Sequence, residues 1–317
     1  MSITGALRSP AFRGLLLLVT FCFIGYTLST QWAEVQQSAR ALDVQWGWIG
    51  AASVVVLATY AMLIQSWRML LAGWGGTLAY PAAVRIWTIA NLGRYLPGKV
   101  WSIGALGLLA SREGVSGLSA TGAAILGTSL NIGAGFAVAV ITGAQGLDAI
   151  YPGLRAVAIG VAVAFLVGVA VLPFVLPAIL DRFARWRGLP LAEQHLSKRT
   201  VWLAAGINAF SWISYGIAFG LFAQGVTPGI GTDPVLYIAV WATSYLVGFL
   251  VLFAPGGIGF RELAISAFLV GIGAAGQGDV AILGATSRVW LTVLEIAPGL
   301  IGLLLMSPSQ RAGLRRP

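Results

Sequence analysis

Charge is what this chain lacks most. Only 9% of its 317 residues are charged and 58% are hydrophobic, whereas an ordinary soluble domain carries about 25% charged residues. A surface this poor in charge would not stay in water, so a water-soluble fold is excluded. Carboxylates are scarcer than cations, 10 against 19. Cysteine and histidine are nearly absent, with Cys22 and His195 standing alone. One cysteine forms no intrachain disulfide and carries no information on redox compartment. One histidine excludes His-rich metal sites and two-histidine proton relays, so no metal and no cofactor is expected. There is no GxxxxGK[ST] loop for nucleotide phosphates and no Gly-x-Ser-x-Gly elbow for a serine nucleophile.

What is present is apolar sequence in long runs. A spanning helix takes roughly 20 apolar residues. Runs over 14–28, 48–71, 118–141, 154–180, 201–223, 235–254 and 280–306 reach or approach that length, and a shorter one covers 263–273. The first run follows Arg8 and Arg13, but no small-x-small cleavage site comes after it, so it reads as an uncleaved span rather than a signal peptide. The expected fold is an all-α, polytopic integral membrane bundle in one transmembrane domain over 1–317. It has about 8 transmembrane helices, with re-entrant or broken helices near 82–110 and 254–275.

The net charge of +9 does not point to nucleic acid, because the basic residues are scattered at the ends of apolar runs. That is the pattern of orientation signals and of contacts to anionic lipid. If 82–110 enters and leaves on one side, that side collects Arg8, Arg13, Arg68, Arg85, Arg94, Lys99, Arg112, Arg182, Arg185, Arg187, Lys198, Arg199 and Arg261. The tail cations Arg311, Arg315 and Arg316 join them. The other side keeps Arg40 and Arg155 beside Glu34, Asp43, Asp148, Asp233 and Asp279. The positive-inside rule makes the basic side cytoplasmic, with both chain termini there. Eight crossings result if 263–273 crosses, and both breaks then fall on the cytoplasmic side. The polar stretch 181–200 reads as a basic cytoplasmic loop, and 307–317 as a short basic tail.

Two interruptions carry the chemistry. Residues 91–101 read NLGRYLPGKVW, with two cations, a proline and two glycines between apolar stretches. Proline removes a backbone donor and disfavours helix before it, so two half-helices joined at Pro97-Gly98 are expected. Residues 254–262 read APGGIGFRE, where Pro255, Gly256, Gly257 and Gly259 break the run and Arg261 and Glu262 follow. Paired breaks in the two halves of a transporter-like chain point to a substrate site, because irregular backbone at membrane depth survives only against protein or a water-filled cavity. Arg94 and Lys99, beside Asn91, Tyr95 and Trp101, suit a lipid phosphate, which Arg grips through a planar fork and Lys as a point charge. Arg261 is a further headgroup candidate.

Arg288 and Glu295 lie inside the last run, seven residues apart on one helix face. Charges at membrane depth face the interior and find partners. Candidate partners are Glu262 or Glu113 for Arg288, and Arg261, Arg94 or Lys99 for Glu295. Arg112, Glu113, Glu262, Arg288 and Glu295 are candidates to line or brace a polar path. Asn131 and Asn208 suit interhelical hydrogen bonds, and Gly122, Gly127, Gly133 and Gly135 suit close helix packing within the chain. Interfacial anchoring accounts for the tryptophans near run ends, among them Trp67, Trp74 and Trp186.

The pattern Asn-x-x-Arg-Tyr-x-Pro-Gly-Lys-x-Trp from Asn91 to Trp101, with the turn Arg112-Glu113-Gly114-Val115 and the pattern Pro-Gly-Gly-x-Gly-x-Arg-Glu from Pro255 to Glu262, resembles the transmembrane domain of lysylphosphatidylglycerol synthases. The resemblance implies a helical bundle with re-entrant elements that moves lipids between leaflets of a bacterial or archaeal cytoplasmic membrane. Bifunctional relatives carry a separate C-terminal aminoacyl-transferase domain, and this chain, ending at Pro317, is expected to lack it and to be no enzyme. The expected activity is translocation of an anionic or modified-headgroup lipid, such as an aminoacyl-phospholipid or a polyprenyl-linked lipid. Expected partners are a membrane lipid with a phosphate-containing headgroup, anionic lipids at the cytoplasmic face, and a lipid-modifying enzyme or a second copy of the chain. Two rival readings stay open: a non-transporting scaffold for a lipid-modifying enzyme or glycosyltransferase, and an intramembrane enzyme acting on a lipid headgroup.

Overall fold

The computed structural model describes residues 43–95, 101–188, 196–231, 233–251, 257 and 259–304, and all regular structure among them is helical. The first apolar run (14–28) and the tail (307–317) lie outside the described residues. The helices are α1 (Trp46–Gly73), α2 (Tyr80–Asn91, continued by a 3-10 turn Leu92–Tyr95), α3 (Trp101–Ser111), α4 (Gly117–Ile150), α5 (Leu154–Arg187), α6 (Lys198–Val226), α7 (Pro234–Leu250), α8 (Phe260–Gly271) and α9 (Gln277–Leu304). Local chemistry sets several ends. The Ser116 hydroxyl accepts the Ser119 N–H at 3.3 Å to start α4, and Ser197 accepts the Thr200 N–H at 3.1 Å to start α6. Asp233 accepts the Val235 N–H at 2.9 Å, with Pro234 in the first turn of α7. These are N-cap residues satisfying donors that the helix leaves open.

Five described helices are long and apolar enough to cross a membrane: α1, α4 (over Gly117–Gly143), α5, α6 and α9. A 28-residue helix such as α1 or α9 reaches about 42 Å at 1.5 Å per residue, more than the ~30 Å hydrocarbon core. Helix α5 is the most apolar and the least covered by protein, so its flanks face lipid. Glycine lets the others approach closely. Gly225 of α6 packs on Ile49 of α1, and Gly73 at the other end of α1 packs on Leu196 just before α6, so the two helices run antiparallel. On α4, Gly122 meets Trp74 and Leu180, Gly127 meets Leu70, Gly133 meets Val169 and Gly135 meets Trp212. These glycines thus serve contacts within the chain.

These contacts gather the C-terminal ends of α1 and α5 with the N-terminal ends of α4 and α6. Arg68, Arg85, Arg112, Arg182, Arg185, Arg187 and Lys198 cluster there, and it is called the basic end below. Asp43, Asp148, Arg155, Asp233 and Asp279 mark the opposite end. Helices α2 and α3 form a hairpin rooted at the basic end. Gly107 of α3 lies against Gly117 and Thr121 of α4, Gly93 lies against Ser102, and Gly302 and Gly299 near the end of α9 meet Thr88 and Leu92. Helices α7 and α8 form a second hairpin, rooted at the opposite end. Gly143 and Gly146, far along α4, pack on Ala239 and Phe268, and the limbs close at Gly248 and Gly257.

The second hairpin departs from the expectation drawn from charge. The 263–273 run does not make a separate crossing: α8 has 12 residues, about 18 Å of helix, and returns to the side from which α7 came. The two breaks are therefore not both on one side. The limbs that flank them enter from opposite ends and converge inside the bundle. The stretch 181–200 is also less of a loop than its polarity suggests, since α5 runs to Arg187 and α6 begins at Lys198. Gly188, with φ 62°, caps α5 by closing on the Ala184 and Arg185 carbonyls. Interfacial anchoring fits Trp46, Trp186 and Trp202, which are exposed, but Trp67 and Trp74 are buried core residues.

Candidate functional site

Where the inner ends of the described hairpin limbs converge there is a cavity of about 230 Å³. Its charged lining comes from three elements that are remote in sequence. Arg94 lies on the 3-10 turn that ends the first hairpin limb, Arg261 sits in the first turn of α8, and Arg288 and Glu295 belong to α9. Counting 1.5 Å per residue from Gln277, Arg288 lies about 16 Å and Glu295 about 27 Å along α9. Both are thus well inside the span.

Arg94 Nη1 donates to Glu295 Oε1, an ion pair that ties the first hairpin to α9 across 201 residues of sequence. The two side chains are 30% and 13% exposed. Arg261 is only 6% exposed. Its guanidinium carbon stands 4.1 Å from the centre of the Trp241 ring, and its Nε and Nη2 groups have no hydrogen-bond partner among the described residues. A cation on an aromatic face is attracted by the ring quadrupole, but that contact uses the face of the guanidinium and leaves its N–H edge unspent.

The cavity has a second, uncharged wall. Asn131 Nδ2 donates to Asn208 Oδ1 at 3.0 Å, and Asn208 Nδ2 donates to Ser66 Oγ at 3.1 Å and to the Ala204 carbonyl at 2.8 Å. Trp212 Nε1 holds the Asn131 carbonyl at 2.7 Å. With Thr128, these side chains give α1, α4 and α6 a common polar stripe on the cavity.

The structure places the sequence candidates in three groups. Asn91, Arg94, Arg261, Arg288 and Glu295 converge on the cavity. Arg112 and Glu113 do not line it. They follow α3 at the basic end, where Glu113 Oε1 accepts from Arg85 Nη2 at 2.7 Å. Glu262 does not line it either: its Oε2 accepts the Gly259 N–H at 2.7 Å at the start of α8, and its side chain packs on Gly284 of α9. A carboxylate at a helix N-terminus satisfies open donors, and that is its place here. Trp101 is exposed and lies outside the lining. Gly257 and Gly259 adopt φ of 71° and 85°, a left-handed region that favours glycine, and Gly257 touches the backbone of Gly248. Lys99, Pro97, Gly98, Pro255, Gly256 and the Tyr95 side chain lie outside the described residues.

Sequence reasoning passed over the site role of Ser66, Thr128, Asn131, Asn208, Trp241 and Tyr245. The available signal is polar side chains recurring inside apolar runs on three helices, of which Asn131 and Asn208 read from the sequence only as interhelical hydrogen bonds.

Crossing helices, two opposed hairpins and an arginine-lined cavity between their limbs define an integral membrane protein whose polar site lies inside the helical bundle. The chain belongs to the lysylphosphatidylglycerol synthase TM region family, whose model matches residues 12–294. That membership relates it to lipid modification or transport. No curated protein matches the chain.

Proposed function

We propose that this chain is a lipid translocator, moving an anionic or modified-headgroup lipid between leaflets without covalent chemistry. The observation that carries the reading is Arg261: a guanidinium 6% exposed, on the cavity, with two donors unpartnered among the described residues. A buried donor left unmade costs about 1–3 kcal/mol, more when charged. Such a group is stable in that place when something supplies an acceptor. A phosphate presents acceptor oxygens matched to the guanidinium fork, and Arg288 adds positive potential. In this reading the headgroup occupies the cavity while the acyl or prenyl tails stay in lipid. Broken helices at membrane depth are where transporters hold substrate.

The lining supports transport over catalysis. Glu295 is its only carboxylate among the described residues, and Arg94 bonds it, so the described lining offers no second carboxylate to complete an acid–base pair. The basic end is taken as cytoplasmic, with both termini there, and anionic lipids as its surface partners.

The test uses purified protein in liposomes carrying acyl-labelled phospholipid, read leaflet by leaflet with an impermeant quencher. Wild type should exchange the probe between leaflets, and Arg261→Ala should slow exchange at least about tenfold. Arg85→Ala, outside the cavity, should leave the rate unchanged. No exchange by wild type refutes translocation and favours a scaffold, whereas chemical conversion of the probe favours an intramembrane enzyme.

A further inference from the structure

Helix α9 is held by two different sets of neighbours. Up to Glu295 it is fixed to crossing helices and to the second hairpin. Gly284 lies on Glu262 of α8, Trp290 Nε1 donates to Ser53 Oγ of α1 at 2.9 Å, and the Trp290 ring stacks on Phe222 of α6 at 4.5 Å between centres. Past Glu295 the described glycine contacts pass to the first hairpin, with Gly299 on Leu92 and Gly302 on Thr88 and Ile89 of α2. Pro298 stands at the changeover, inside the helix and just beyond Glu295. It has no N–H to give the Leu294 carbonyl, and its ring crowds that carbonyl. Prolines of this kind are where helices bend. The first hairpin is anchored at its root, where Arg68 Nε donates to the Leu78 carbonyl at 2.9 Å and Gly107 lies on Gly117 and Thr121. Its inner end is tied to the fixed part of α9 through Arg94 and Glu295.

We propose that Pro298 is a hinge in α9 and the Arg94–Glu295 pair its latch. Release of the pair lets the inner end of the first hairpin and residues 299–304 swing together, opening the cavity toward the basic end. Glu295 lies between Arg288 and the basic end along α9, which puts the latch on that side of the cavity. Gly299 and Gly302 bring the end of α9 close against α2, and small residues at such a contact make it tight, so the two move as one body. The proline lets that body turn without disturbing the Trp290 contacts one to two turns earlier. Glu295 is not stranded when Arg94 leaves, because Arg261 and Arg288 line the same cavity. A carboxylate that shares its cavity with three cations has a second arrangement open to it, which is what a two-position element requires. The hinge goes beyond the translocation reading and does not depend on it, since it concerns access to the cavity and not what passes through.

The experiment reads the opening as the rate at which a water-soluble maleimide labels Thr292→Cys on the cavity wall, in a Cys22→Ser background and in nanodiscs. Arg94→Gln should raise that rate at least about fivefold by releasing the latch. Pro298→Ala, which restores the helix donor and stiffens the joint, should lower the rate in the otherwise unchanged protein and remove most of the gain from Arg94→Gln. Pro298→Gly restores the donor but leaves the backbone loose, and should label faster than Pro298→Ala. A gain in Arg94→Gln that Pro298→Ala leaves intact would refute the hinge. An unchanged rate in Arg94→Gln, with the protein eluting as a folded species, would refute the latch. Labelling needs no lipid movement, so either result is distinct from a failed exchange assay, which strikes the translocation reading alone.

Discussion

The Arg94–Glu295 pair should hold the first hairpin in place, and a double-mutant cycle measures how strongly. The perturbations are Arg94→Gln, Glu295→Gln and the two together. Glutamine is isosteric with glutamate and shorter than arginine, and at both positions it keeps a polar amide while removing the charge. Breaking a fully buried ion pair by removing one partner costs 3–5 kcal/mol, because a charge is left stranded. Here Arg94 is 30% exposed and Glu295 13%, so water in the cavity screens part of that loss. A charge-assisted hydrogen bond of this kind then contributes about 1–3 kcal/mol. Each single substitution should lower stability by about that amount. The double mutant should lie closer to either single mutant than to their sum, with a coupling of about 1–2 kcal/mol. The assay is reversible unfolding in mixed micelles, followed by tryptophan fluorescence. Additive losses, with coupling under about 0.5 kcal/mol, would show that the pair does not tether the hairpin and that α2 is held by its packing on α1, α3 and α9.

Gly257→Ala should destabilise the second hairpin by about 2 kcal/mol or more in the same assay. The residue has φ 71°, and a Cβ there would come within 2.8 Å of the Gly248 Cα, adding a clash to a strained backbone. Asn208→Leu should cost about 1–3 kcal/mol, because Asn131 loses its 3.0 Å acceptor inside the bundle; stability unchanged by that substitution would show the network to be redundant. Arg85→Ala should cost under about 1 kcal/mol, since its partner Glu113 is 26% exposed and Arg85 itself 24% exposed. Thermal unfolding of the purified variant would check that.

Hydropathy made the helices legible because crossing a bilayer imposes a length and a polarity that few other structures share. Runs 48–71, 154–180 and 280–306 fall within α1, α5 and α9 or overrun them by two residues at one end. In the second break the described glycines, Gly257 and Gly259, do leave helical backbone, with φ of 71° and 85°. What the sequence concealed was the side from which the second break enters. The charge count assigned Arg94 and Arg261 to the cytoplasmic side, which put both breaks there and gave eight crossings if 263–273 crosses. In the structure Arg261 is buried over Trp241 and Arg94 reaches Glu295. A cation enclosed by protein reports nothing about orientation. The same blindness affected Arg112, Glu113 and Glu262. Their composition resembled that of Arg288 and Glu295, but end positions and a capping contact keep them off the cavity. Asn131 and Asn208 were legible as a helix contact. That their shared face also borders a cavity depends on how two hairpins converge, which no local pattern encodes.

The most direct measurement of the central claim uses phosphatidylglycerol with a photoreactive headgroup, irradiated with the protein in nanodiscs and mapped by peptide mass spectrometry. The account predicts adducts on the cavity-facing residues of α4 and α9, around Thr128 and Thr292, with strong loss of those adducts in Arg261→Ala. Adducts confined to the lipid-facing flanks of α5, unchanged by Arg261→Ala, would contradict it.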